Sequence, residues 1–84
     1  MISVMYFSTE WCGPCKMFWP TVDDVCRASN ISVQKVDAES NRELATQYQI
    51  TGVPTVIIFK DGQLVYRKTG VVPKTQFITT LQNL

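Results

Sequence analysis

Apolar residues run almost without a break from Ile2 to Phe7, the pattern of a short strand covered on both faces. The period then lengthens. Phe18, Val22, Val25 and Cys26 recur at i, i+4, i+7 and i+8, which marks the buried stripe of a helix that starts near Cys12. Pro20 falls inside that stripe and lacks the N–H that would bond the Lys16 carbonyl. Because the stripe continues on both sides, the pattern predicts a kinked helix, not a broken one. Asn30 ends the helical pattern. Ile31 to Val36 follows as a second strand, with Val33 and Val36 directed inward. Ser40-Asn41-Arg42-Glu43 has the spacing of a capping box, opening a short helix with Leu44 and Tyr48 on its apolar side. Thr55 to Phe59 is another buried strand, and Asp61-Gly62 is a tight turn into an antiparallel partner, Leu64 to Lys68. Phe77, Ile78, Leu81 and Leu84 mark a closing amphipathic helix, with Pro73 in or near its first turn.

The predicted order is β-α-β-α-β-β-α, an α/β chain whose first helix is a right-handed crossover between parallel strands. Residues 1–84 are expected to form a single domain, because half of so short a chain would bury too little core to offset its lost conformational entropy. Hydrophobic residues make up 45% of the chain, the composition of a globular protein and not of a disordered or fibrous one. A net charge of +1 from scattered basic residues offers no patch for a phosphate backbone, so nucleic acid is not expected as a partner. No apolar stretch approaches the roughly 20 residues of a bilayer span. Met1 to Phe7 lacks a basic leader and a cleavage site, and it reads as a strand with no membrane role. Three cysteines cannot all pair within one chain and do not make the dense framework of a secreted scaffold, which points to a reducing, cytoplasmic setting.

The chemistry gathers where the first strand hands over to the first long helix, at Trp11-Cys12-Gly13-Pro14-Cys15-Lys16. Cysteines three apart on a helical turn lie on one side, about 5–6 Å apart, within the span that a disulfide needs. Cys12 at the helix start faces unpaired N–H groups and the positive end of the helix dipole, so its thiolate is favoured and it is the expected nucleophile. Cys15, one turn deeper, should stay a thiol until a mixed disulfide forms and then resolve it. Half of a zinc site is an alternative, but a second CxxC is absent and the chain has no His. A static structural disulfide would close only a tiny loop. Cys26, on the stripe with Val22 and Val25, reads as core packing. Trp19 and Tyr66 read as ordinary aromatics.

Glu10-Trp11-Cys12-Gly13-Pro14-Cys15-Lys16-Met17 resembles the active-site signature of the thioredoxin family. Pro20 matches the family's helix proline, Lys35 its strand lysine, and Gly52-Val53-Pro54-Thr55 its cis-proline loop. Phe59-Lys60-Asp61-Gly62 resembles its hairpin, and Gly70 its groove glycine. The matches keep their order along nearly the whole chain. The resemblance implies a thioredoxin-like fold, a minimal β-α-β-α-β-β-α core whose four-stranded mixed sheet, ordered 2-1-3-4, has helices on both faces. It also implies a cis Val53-Pro54 bond facing the disulfide, and substrate binding by Trp11, Gly13, Pro14, Val53, Pro54 and Gly70. The implied activity is reduction of protein disulfides by a monomer through a reversible Cys12-Cys15 dithiol, with no bound cofactor or metal. A reductase of the thioredoxin-reductase type would restore the dithiol, placing the protein in electron transport and cell redox homeostasis. The Gly-Pro pair between the cysteines resembles the strongly reducing members of the superfamily.

Three features depart from the family pattern. The chain begins at what would be the family's second strand, leaving a core of glutaredoxin size. Ser8 replaces a tryptophan, and Tyr6 occupies the position of the buried aspartate that assists the second cysteine. Tyr6 and Lys35 are therefore candidates for tuning the thiols. Two other functions stand beside this one: a glutaredoxin-like enzyme recycled by glutathione, which the short length and the Val-Pro pair permit, and a non-catalytic subunit that grips a larger protein through the groove. Gly70-Val71 stands where glutaredoxins carry the Gly-Gly pair that helps hold glutathione.

Overall fold

Alternation in the first strand sorts its side chains onto two faces, and that division organises the whole computed structural model, which describes residues Met1 to Leu84. The elements are β1 (Ile2–Ser8), α1 (Gly13–Ala28), β2 (Ser32–Asp37), α2 (Arg42–Gln47), β3 (Thr55–Lys60), β4 (Gln63–Thr69) and α3 (Lys74–Gln82). The strands form one sheet in the order β2-β1-β3-β4. β1 and β2 are parallel, while β1 with β3 and β3 with β4 are antiparallel, so the sheet is mixed as expected.

Val4 and Tyr6 of β1 face the larger core with Val56 and Ile58 of β3. The buried stripe of α1 (Phe18, Val22, Val25, Cys26) and Phe77 and Leu81 of α3 close over them. Phe77 meets Phe18 edge to face at 6.4 Å, and cutting either ring back to Ala would cost about 3–5 kcal/mol. Phe7 and Ile57 point the other way and join Val36 in a smaller core, covered by Leu44 and Tyr48 of the α2 segment. Val33 and Val36 both contribute to core, but being three apart on a strand they face opposite sides of the sheet.

α1 runs without interruption through Pro20. It ends where Asn30 takes a left-handed φ of 55°, a conformation that Asn tolerates better than most residues. Asp61 and Gly62 both have positive φ, 52° and 86°, as a two-residue hairpin turn requires. The capping box at Ser40 does not form. Asp37 Oδ1 accepts the N–H groups of Glu39 and Ser40 at 2.9 and 3.3 Å, so the chain stays in a turn through Ser40 and the helix is capped at Asn41 without a side-chain bond. Pro73 is the N-cap of α3, just before the first helical residue.

Candidate active site

Cys12 is the N-cap residue of α1 and Pro14 follows in the first turn, where its missing N–H leaves nothing unpaired. The backbone N–H of Cys15 donates to Cys12 Sγ at 3.2 Å. The two cysteines form a disulfide with Cα atoms 5.3 Å apart, inside the span deduced from their spacing. In this oxidised state Cys12 is 6% exposed and Cys15 3%, so exposure hardly separates them, and their different places on the helix do. No group of three or more metal-capable side chains gathers at the pair or elsewhere.

The loop before β3 approaches from the opposite side. Val53-Pro54 is cis, and the Val53 carbonyl oxygen lies 4.0 Å from Cys12 Sγ. Pro54 is buried, and its carbonyl accepts the N–H of Gly70 at 2.8 Å, while Gly70 holds a φ of 102°. Thr55 Oγ1 donates back to the Gly52 carbonyl at 2.6 Å, which ties the loop to the first residue of β3. Between this loop and the disulfide opens a groove of about 630 Å³ whose walls include Trp11, Gly13, Pro14 and Val53. Pro54 and, behind it, Gly70 stand outside that lining.

The far wall contains residues that the sequence did not single out, Ala38, Arg42 and Ile50, together with Glu39, whose carboxylate accepts the indole N–H of Trp11. Trp11 is 70% exposed, so this bond fixes a large apolar surface at the groove's lip. The one available signal was topological: sites of this kind collect at the carboxyl ends of parallel strands, and Ala38 and Glu39 directly follow the end of β2.

Beneath Cys15, Tyr6 is wholly buried and its hydroxyl donates to the Cys15 carbonyl at 2.6 Å. Burial pushes the phenol up to about 12, so it stays neutral across the physiological range. Lys35, paired in register with Tyr6 on β2, holds its ammonium 5.1 Å from the centre of the Trp19 ring. A second, polar cleft lies beside Cys15 and is bordered by Ser8, Thr9, Lys35 and Asp37. Cys26 is fully buried in the larger core, its thiol pushed up to about 11 by burial and by the Asp23 carboxylate.

Comparison with known proteins agrees with this arrangement. A family model described as Thioredoxin matches residues 1–83. The chain belongs to the thioredoxin family. Thioredoxin 1 of Synechococcus elongatus is 44% identical over 77 residues, covering 89% of this chain and 72% of the relative. The thioredoxin of Mycobacterium bovis is 39% identical over 80 residues, covering 93% and 69%. Among solved structures, a mutant thioredoxin from Halobacterium salinarum superposes with a TM-score of 0.92 at 30% identity, over 98% of this chain and 73% of that one. Thioredoxin-2 of a malaria parasite gives 0.93 at 27% identity, over 100% and 84%. This thioredoxin-family chain is thus a thiol-disulfide oxidoreductase, with the Cys12-Cys15 pair as its redox centre. No helix is long and apolar enough to cross a membrane.

Proposed function

We propose that the chain reduces disulfides of proteins as a single-domain monomer of the cytoplasm, with Cys12 as nucleophile and Cys15 as resolving thiol. The observation that carries this is the Cys15 N–H donated to Cys12 Sγ at the N-cap of α1. A thiolate at that atom gains a charge-assisted hydrogen bond and the positive end of the helix dipole, while Cys15 has no such donor.

In the reduced protein, Cys12 S⁻ attacks one sulfur of a substrate disulfide and expels the other as a thiolate. A mixed disulfide results. Cys15 then loses its proton and attacks Cys12 Sγ, releasing the second substrate thiolate and closing the Cys12-Cys15 bond. Two electrons pass from the protein dithiol to the substrate. An extended substrate segment lies in the groove between Trp11, Gly13 and Pro14 on one side and Val53 on the other, with the buried Pro54 and Gly70 supporting the loop from behind. Tyr6 acts on the thiols indirectly, through the Cys15 carbonyl, and Lys35 acts across the polar cleft that it lines with Cys15. A flavoenzyme of the thioredoxin-reductase type returns the two electrons, which makes the protein a carrier in electron transport and redox homeostasis. No cofactor beyond the disulfide takes part.

The test is insulin reduction with NADPH and a thioredoxin reductase, run beside glutathione alone. Turnover should need the reductase. Cys12→Ser should abolish turnover, and Cys15→Ser should accumulate a covalent adduct with substrate, detectable by mass spectrometry. Normal turnover by Cys15→Ala would disprove the two-thiol cycle.

A further inference from the structure

The resolving step has a chemical demand that nothing beneath the thiol meets. Cys15 must lose its proton as its sulfur attacks Cys12, yet the group under it is Tyr6, whose hydroxyl hydrogen is already committed to the Cys15 carbonyl. A neutral phenol pushed up to about 12 is no base at neutral pH. The proton has to leave by another side.

That side is the polar cleft between the ends of β1 and β2 and the first turn of α1. Its volume is about 530 Å³, and Cys15 forms part of its lining. At about 30 Å³ per molecule it has room for several waters. Ser8 keeps this space open because its side chain is small. Thr9, which also borders the cleft, is 8% exposed, and its Oγ1 is buried without a hydrogen-bond partner in the protein. A buried hydroxyl in that position calls for water.

Two carboxylates border the same cleft, Glu10 and Asp37. Glu10 is exposed on the β1–α1 loop and nothing holds its side chain. Asp37 is fixed. It ends β2 in register with Ser8, and its Oδ1 is anchored by the N–H groups of Glu39 and Ser40, which leaves Oδ2 without a bond inside the protein. The charges around it are Lys16 from α1, Lys35 from its own strand and Glu10 from the loop. Glu39 across the turn is engaged by the Trp11 indole. The two lysines favour the Cys15 thiolate as it forms, and water in the cleft links it to the carboxylate.

We propose that Asp37 is the proton acceptor for Cys15, acting through water in the polar cleft that the two residues line. The assignment rests on Cys15 being the resolving thiol. The Cys15 S–H proton passes through water to Oδ2, the sulfur pair attacks Cys12 Sγ, and the substrate sulfur leaves with the electron pair of the broken S–S bond. The proton returns from Asp37 to solvent. Asp37 does not touch the reacting atoms, so it is a positioning residue and relay.

The experiment follows resolution of a mixed disulfide between Cys12 and a reporter peptide, by rapid quench from pH 6 to 9. Asp37→Asn keeps Oδ1 as acceptor for the turn and removes only the base. It should slow resolution about tenfold near pH 6–7, the gap closing by pH 9 as hydroxide takes over. Glu10→Gln should follow the wild-type profile. Attack by Cys12, measured in Cys15→Ser with and without Asp37→Asn, should be equal, which separates proton transfer from loss of structure. Superimposable profiles for wild type and Asp37→Asn overturn the proposal, as does an equal loss at every pH or a loss in Glu10→Gln instead. If Cys15→Ser never accumulates the mixed disulfide, the resolving role itself falls, and that result appears before any comparison at Asp37.

Discussion

The hydroxyl of Tyr6 and the carbonyl of Cys15, 2.6 Å apart, join the first strand to the first turn of the active-site helix. The tyrosine grips the backbone of the second cysteine and leaves its sulfur alone. Its ring packs against Trp19 at 5.2 Å and Phe18 at 6.1 Å, with Lys35 above the Trp19 ring. The layer under Cys15 is therefore tightly filled by aromatic rings and holds no carboxylate.

Replacing that layer with a carboxylate should change the chemistry and the stability in opposite senses. Tyr6→Asp puts a base under the thiol, so resolution of the mixed disulfide should vary less between pH 6 and 9 than in the wild type. The lost ring should cost about 3 kcal/mol or more, read from urea unfolding. Identical pH profiles for the two proteins would show that position 6 has no access to the Cys15 proton.

Alkaline pH should destabilise the fold through two buried acids. Cys26 is raised from 9.0 to about 11 and Tyr6 from 10.0 to about 12, so the folded state holds both protons after the unfolded chain has released them. Their stabilisation is present in full below pH 9 for Cys26 and below pH 10 for Tyr6, and it is lost as pH climbs through 11 and 12. Denaturation midpoints should fall above pH 9, less so in Cys26→Ala, and Tyr6→Phe should soften the fall above pH 10. Parallel pH curves for wild type and both variants would contradict this.

Cys26→Ala should leave insulin reduction at the wild-type rate. It opens a small cavity in the larger core, lowering stability by about 1 kcal/mol or somewhat more at pH 7. A folded variant with impaired turnover would show that Cys26 takes part in the redox cycle.

Gly62 and Gly70 should separate fold from function. Both hold positive φ, 86° and 102°, and a Cβ at either would meet open space, so the cost of Ala is backbone strain of about 1 kcal/mol or more. Gly62→Ala lies in the far hairpin and should keep full activity. Gly70→Ala disturbs the N–H that holds the Pro54 carbonyl and should also lower kcat/KM for protein disulfides several-fold. Equal activities in the two variants would remove Gly70 from the substrate site.

Much of this was legible from side-chain period and local chemistry. The stripe Phe18, Val22, Val25 and Cys26 is buried throughout, because a helix with one apolar face against a sheet has no other way to lie. Asp61-Gly62 specified its turn because few residue pairs accept two positive φ values. Ser40 misled, since its capping spacing is a local signal and Asp37, three residues earlier, claimed the same turn's N–H groups. The Trp11–Glu39 bond and the shared cleft of Cys15 and Asp37 were invisible for a different reason. They join residues 28 and 22 positions apart, and only the parallel pairing of β1 with β2 brings those residues level.

α2 is six residues long, buries none of them and has no side-chain cap bond, whereas α1 is sixteen residues long and buries five. The substrate groove is thus built like a vice with one fixed jaw and one sprung one. The jaw carrying the disulfide is clamped to the larger core. The opposite jaw, with Ala38, Arg42 and Ile50, lies on and beside a helix near the lower limit of length and should open locally at smaller cost than α1. Dissimilar chains can then be admitted by yielding on one side while the sulfur atoms keep their aim on the other.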